Sequence, residues 1–94
     1  MPIATLTLEI RIEGAHSLKD KRQVVRSMKD RLRAKFNVSV AEMEATDLWQ
    51  RATVAAVTVS SSHQFAEKVL RSVEDEAAGM LGSELVETTV EWIC

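Results

Sequence analysis

Five cations recur at intervals of 3, 4, 3 and 4 residues in one segment: Lys19, Arg22, Arg26, Lys29 and Arg33. At about 100° per residue, these intervals return each side chain to one arc of a helix. With roughly 1.5 Å of rise per residue, the ridge is about 21 Å long. Cations in such a row repel one another until something negative approaches, so the chemistry they suggest is neutralisation of a polyanion, above all the phosphates of a nucleic acid. Just ahead, His16 and Ser17 stand where the helix begins, close to Lys21. There the unsatisfied N–H groups and the helix dipole favour anions, so these three residues extend the ridge. A phosphate-cradling loop needs several glycines, and this stretch has only Gly14, so the end of the ridge is not a separate pocket. Farther along, Trp49 with Arg51 would either offer a stacking platform for a base or a partner residue, or Trp49 would fold back to cover the end of the core.

Other chemistry finds little support. The histidines, His16 and His63, are far apart and do not make a metal site; the lone cysteine, Cys94, excludes an internal disulfide, a four-cysteine zinc site and a cysteine-ligated iron–sulfur cluster. No nucleophile, base and orienting group stand at a spacing that would make a catalytic set. The expectation is a non-enzyme without metal or cofactor. One enzymatic alternative is acylphosphatase-like chemistry, which needs an anion cradle and a positioned amide; its only available parts are His16, Arg22 and Asn37.

Charge is segregated along the chain. The 94 residues carry a net charge of −2, which argues against a generally basic coat. Yet residues Gly14 to Phe36 hold eight of the twelve Lys and Arg against two acids, Asp20 and Asp30, a local balance of +6. From His63 onward two cations face seven acids, a balance of −5. Anion binding must therefore come from a localised face. No stretch approaches the ~20 apolar residues of a membrane span, and the N-terminal residues lack a basic leader followed by an apolar run, so the chain reads as cytosolic with no membrane role.

The elements that must position the ridge follow from periodicity. Residues Ile3 to Glu13 alternate strictly, with Ala4, Leu6, Leu8, Ile10 and Ile12 on one side, which predicts a half-buried strand. Ser17 is the expected N-cap of the first helix, with Asp20 three residues on, and the helix should end near Phe36 and Asn37. Its apolar stripe is Val24, Val25, Met28 and Leu32, with Leu18 and Phe36 at the ends. Val38 to Ala45 alternates poorly and predicts an edge strand with a bulge or projecting hairpin, guarded by glutamates. Thr53 to Ser60 is apolar on both sides apart from its threonines, as a central strand would be. Ser61 and Ser62 should cap a second helix, with Gln64 three residues after Ser61 as the reciprocal partner, and its stripe runs from Phe65 and Ala66 through Val69, Leu70, Val73, Ala77, Met80 and Leu81 to a stop at Gly82. The last strand, Glu84 to Ile93, places Val86, Val90 and Trp92 on its core side.

One domain over residues 1–94 with this order, strand, helix, strand, strand, helix, strand, predicts an α+β ferredoxin-like βαββαβ fold: a four-stranded antiparallel sheet with two helices on one face. The opposite face would carry Thr5, Thr7, Glu9, Arg11, Glu87 and Glu91, with Glu87 or Glu91 neutralising Arg11. RNA-recognition motifs share this topology and stack bases on open-face aromatics, which the strands here do not offer. RNA contact would therefore come through the first helix.

The blocks GAHSLKDKR (14 to 22), FNVSVAE (36 to 42) and DLWQRA (47 to 52) resemble the YlxP-like family of small bacterial proteins, and the resemblance covers nearly the whole chain. It implies a ferredoxin-like fold and a setting near translation and ribosome maturation, with no settled activity. The expectation is thus a non-enzymatic binder of RNA or of a ribosomal particle that recognises charge and shape rather than sequence. The alternative from a different class is a homo-oligomeric interaction module, in which open sheet faces stack as a homodimer or oppositely charged ends pair.

Overall fold

A computed structural model of the chain describes residues 1–43 and 50–94. The first strand, β1 (Ile3–Arg11), buries Ala4, Leu6, Leu8 and Ile10 while the residues between them stay partly open, as strict alternation requires. Helix α1 (Leu18–Lys35) follows, then β2 (Ser39–Met43), β3 (Arg51–Val59), α2 (His63–Leu81), a 3-10 turn (Gly82–Glu84) and β4 (Leu85–Trp92). All pairings are antiparallel and the strand order is β2-β3-β1-β4. Both helices cover one face of the sheet: α1 lies over β2 and β3, and α2 over β1, β3 and β4. This is the ferredoxin-like arrangement.

The core forms where that sheet face meets the helix stripes, with Leu6, Leu8 and Val54 from the strands against Met28 and Leu32 of α1 and Leu70 and Val73 of α2. Burying each such side chain contributes about 1.5–3 kcal/mol. Thr58 is buried among them, and its Oγ1 donates to the Asn37 carbonyl oxygen at 2.9 Å, tying the connection after α1 to β3. At the end of α2, Gly82 holds φ +56°, a left-handed value that favours glycine.

Several expectations are corrected. Of the expected pair Ser61 and Ser62, it is Ser62 that caps α2, and its Oγ accepts from the Phe65 amide at 3.0 Å, so the residue three positions on is Phe65 rather than Gln64. Val24 and Phe65 sit at the margins of their stripes and are exposed; the helices meet the sheet through a narrower arc than the apolar residues span. In β4, a register shift between Glu9 and Ile10 of the partner strand pairs Leu85 with Ile10 and displaces Val86. Val86 consequently leaves the core side and lines a shallow hollow with Glu9, Arg11 and Arg51. Trp92 keeps the core parity, opposite Ala4, but lies at the sheet edge and remains 42% exposed, its ring 4.9 Å from that of His63. Arg11 is neutralised by Glu13 at 3.8 Å rather than by β4, because Glu87 lies opposite Glu9, and Glu91 opposite Thr5.

Candidate polyanion-binding face

Eight cations enter α1 or its last turn with different fates, decided by which arc each occupies. Lys21 is three and seven residues from Leu18 and Met28 and four from Val25, so it falls inside the buried arc. Its side chain is only 4% exposed, and its ammonium lies 3.4 Å from the Glu42 carboxylate on β2. That corrects the expectation that Lys21 extends an anion site: it is a core residue with its own counter-charge. It also explains the poor alternation of β2, in which Glu42 shares the inner face with buried Val40. Glu42 answers Lys21 rather than guarding the edge.

On the flank facing α2, Glu76 accepts from Lys35 Nζ at 2.8 Å and lies 3.0 Å from Arg31 Nε. The Lys35 hydrogen bond, with the charges of Lys35 and Arg31, holds the Glu76 carboxyl below its ordinary value of 4.5 against the opposing effect of burial. A carboxyl with a depressed folded-state pKa stabilises the fold above its unfolded value, and that contribution is lost as pH falls through the folded value. Glu76→Gln is therefore expected to lower the thermal midpoint at neutral pH and low salt, with the gap to wild type closing below about pH 4.5. Thermal melts of both proteins from about pH 7 to pH 3 check this; a gap that persists at the acid end would mean lost packing, not lost charge.

On the other flank, Arg33 donates through Nη2 to the Val40 carbonyl oxygen at 2.7 Å and pairs with Asp30 at 3.6 Å. Arg33 therefore holds the edge strand β2 against the helix, and only part of its charge remains available to a ligand. The other four ridge members, Lys19, Arg22, Arg26 and Lys29, have no hydrogen-bond or ion-pair partner among the described residues. Three of them are exposed and Lys29 is half-buried. They span ten residues of α1, about 15 Å. Because Arg33 reaches β2 from the same arc, this remaining ridge lies on the outer flank of α1, away from α2 and along the β2 edge of the sheet.

The helix N-terminus is less open than expected. Ser17 Oγ accepts from the Asp20 amide at 3.1 Å, and Asp20 Oδ2 accepts from the His16 amide at 2.9 Å. This reciprocal cap places the chain's own carboxylate where an anion would bind, so Ser17 serves as a cap. His16 is an exposed turn residue beside it. Arg51 opens β3 directly opposite Arg11, on the sheet face away from the helices, so it does not join the ridge. Trp49 falls outside the described residues. Asn37 follows the far end of the 18-residue helix, about 27 Å from His16 and the N-terminal turn, so the parts of an acylphosphatase-like site are not assembled.

The strand order also spreads charge across the sheet. The ridge runs along the β2 edge, while Glu87 and Glu91 sit on β4 at the opposite edge, roughly 14 Å away at the usual strand spacing.

Among known proteins, the family model described as "Protein of unknown function (DUF503)" matches residues 3–90. The chain is 38% identical over 81 residues to "Uncharacterized protein YlxP" of Bacillus subtilis (strain 168), covering 86% of this chain and 88% of that protein. Among solved structures it is similar to a variant of SnoaB, a cofactor-independent oxygenase from Streptomyces nogalater, with TM-score 0.56 and 12% identity over 98% of this chain and 91% of that one. It is also similar to At3g17210 from Arabidopsis thaliana, with TM-score 0.54 and 14% identity over 99% and 94% of the two chains. At these identities the structural likeness concerns the fold.

Proposed function

We propose that this chain, which belongs to the DUF503 family, is a non-enzymatic cytoplasmic protein that binds RNA, or an RNA-rich particle such as the ribosome or its precursor, through the outer flank of α1. One observation carries this reading. Of eight cations in and around the helix, the fold pairs Lys21, Arg31, Arg33 and Lys35 with acids of its own, while the four left without a partner among the described residues all fall on one arc. Lys19, Arg22, Arg26 and Lys29 neutralise backbone phosphates, and Arg33 contributes the charge that Asp30 does not cancel. Binding reads charge and backbone shape, since the described residues of the open sheet face include no aromatic on which a base could stack.

The test is the affinity of the full chain for a structured RNA and for ribosomal subunits across a salt series. Four phosphates neutralised predict that log affinity falls with log salt at a slope of about −3. Affinity that does not change with salt, or no binding at low salt, would overturn the proposal.

A further inference from the structure

The sheet face away from the helices is built as if something covers it. Its residues on β3 are Arg51, Thr53, Ala55, Val57 and Val59, matched in register by Arg11, Glu9, Thr7, Thr5 and Ile3 on β1. Beside them stand Ser39, Ala41 and Met43 on β2 and Glu91, Thr89 and Glu87 on β4. A solvated antiparallel face normally presents polar residues outward, whereas strands apolar on both sides are those covered on both sides. Here β3 is apolar on both sides from Val54 to Val59 except at Thr58: Val54, Ala56 and Thr58 are buried toward the helices, and Ala55, Val57 and Val59 point outward. Val59 is 46% and Met43 49% exposed.

Charge narrows the choice of what covers it. Glu9, Glu87, Arg11 and Arg51 cluster at one end and Glu91 stands on the β4 edge, leaving three successive rows of β1 and β3, two of them continued by Ser39 and Ala41 on β2, without a charged residue. A polyanion has nothing to hold it there, and acids would repel it. An uncharged field of small and aliphatic side chains fits a surface of the same kind, and a second copy supplies one of the same extent. Three strands of eight or nine residues and β2 of five cover about 500 Å², charged rows included, so two such faces in contact bury roughly 1,000 Å², the least that a specific interface needs. Pairing faces by a two-fold axis leaves both helix layers outside, with each α1 ridge accessible.

From this we infer that the open sheet face is an isologous homodimer interface: the chain assembles sheet against sheet with a second copy of itself. The inference rests on the face alone and stands apart from the phosphate-binding reading. Its test is sedimentation equilibrium of the full chain at low and high salt, with Val57→Lys and Val59→Lys as separate variants. Val59 is already half in water, so its substitution threatens folding least. The expected result is a wild-type dimer whose mass changes little with salt, because three rows of β1 and β3 in the contact carry no charge, and variants that keep the wild-type circular dichroism but dissociate with a constant about 100-fold higher. A wild type that stays monomeric at about 100 times the protein concentration of an ordinary binding assay overturns the inference. So does a dimer that dissolves in salt, which would mark pairing of the charged edges instead, or a folded Val59→Lys protein that dimerises as wild type does. Failure of this test leaves the salt-dependent RNA titration unaffected, and failure of that titration leaves this one unaffected.

Discussion

Replacing Arg22 and Arg26 together by glutamate is expected to weaken RNA binding about 100-fold at low salt and to flatten the salt dependence from a slope of about −3 to about −1.5. Both side chains are exposed, four residues apart on the arc, and neither has a partner among the described residues. The reversal thus removes two of the four available charges and inserts two of the wrong sign without opening any ion pair. Thermal stability should change little, since surface substitutions clear of packing and pairing typically shift it within about 0.5 kcal/mol. The control is Lys68→Glu on α2, also exposed, which changes net charge without touching the ridge. Titration of one RNA with the three proteins separates the readings: if Lys68→Glu weakens binding as much, the effect belongs to overall charge and the ridge is a solvated face.

The second large effect concerns stability. Glu42→Ala is expected to cost about 2 kcal/mol, since it removes the β2 carboxylate that lies 3.4 Å from the Lys21 ammonium, a side chain only 4% exposed. In a domain of this size that lowers the thermal midpoint by roughly 8–16 °C, against a total stability of about 5–15 kcal/mol. The asymmetry of buried pairs supplies the diagnostic. Breaking the pair from one side leaves a buried charge less compensated, while replacing both members with apolar residues removes the desolvation cost along with the attraction. Lys21→Met with Glu42→Leu should therefore recover most of the stability lost in Glu42→Ala. Thermal or urea unfolding of Lys21→Met, Glu42→Leu and the double variant measures the coupling directly. A loss in the double variant equal to the sum of the two single losses would show that the two groups are not coupled.

Much of the architecture was legible because it rests on local periodicity. The strict alternation of β1, the stripe Val25, Met28 and Leu32, the Ser17 cap with Asp20 and the stop at Gly82 each follow from residues within a turn or two of one another. The burial of Lys21 carried a local signal too, since its spacing to Val25 and Met28 places it on the apolar stripe; its positive charge made it look like part of the ridge. The bulge in β4 left no such mark, because Val86, Val90 and Trp92 satisfy the ordinary alternation and only pairing with β1 reveals the shift. Val86 therefore read as core and lies on the open face.

By itself the sequence determined the order of the elements, the helix that collects the positive charge and the strand that is apolar on both sides. These are properties of neighbouring residues, set by periods of 3.6 and 2 and by caps. Only the tertiary structure decided which of those charges remain for a ligand. Glu76 reaches Lys35 across 41 residues of sequence, Glu42 reaches Lys21 across the β2 edge, and the Val40 carbonyl engages Arg33. Counting cations cannot separate a paired charge from an unpaired one, because pairing depends on groups that the fold, and not the chain order, brings within a few ångströms.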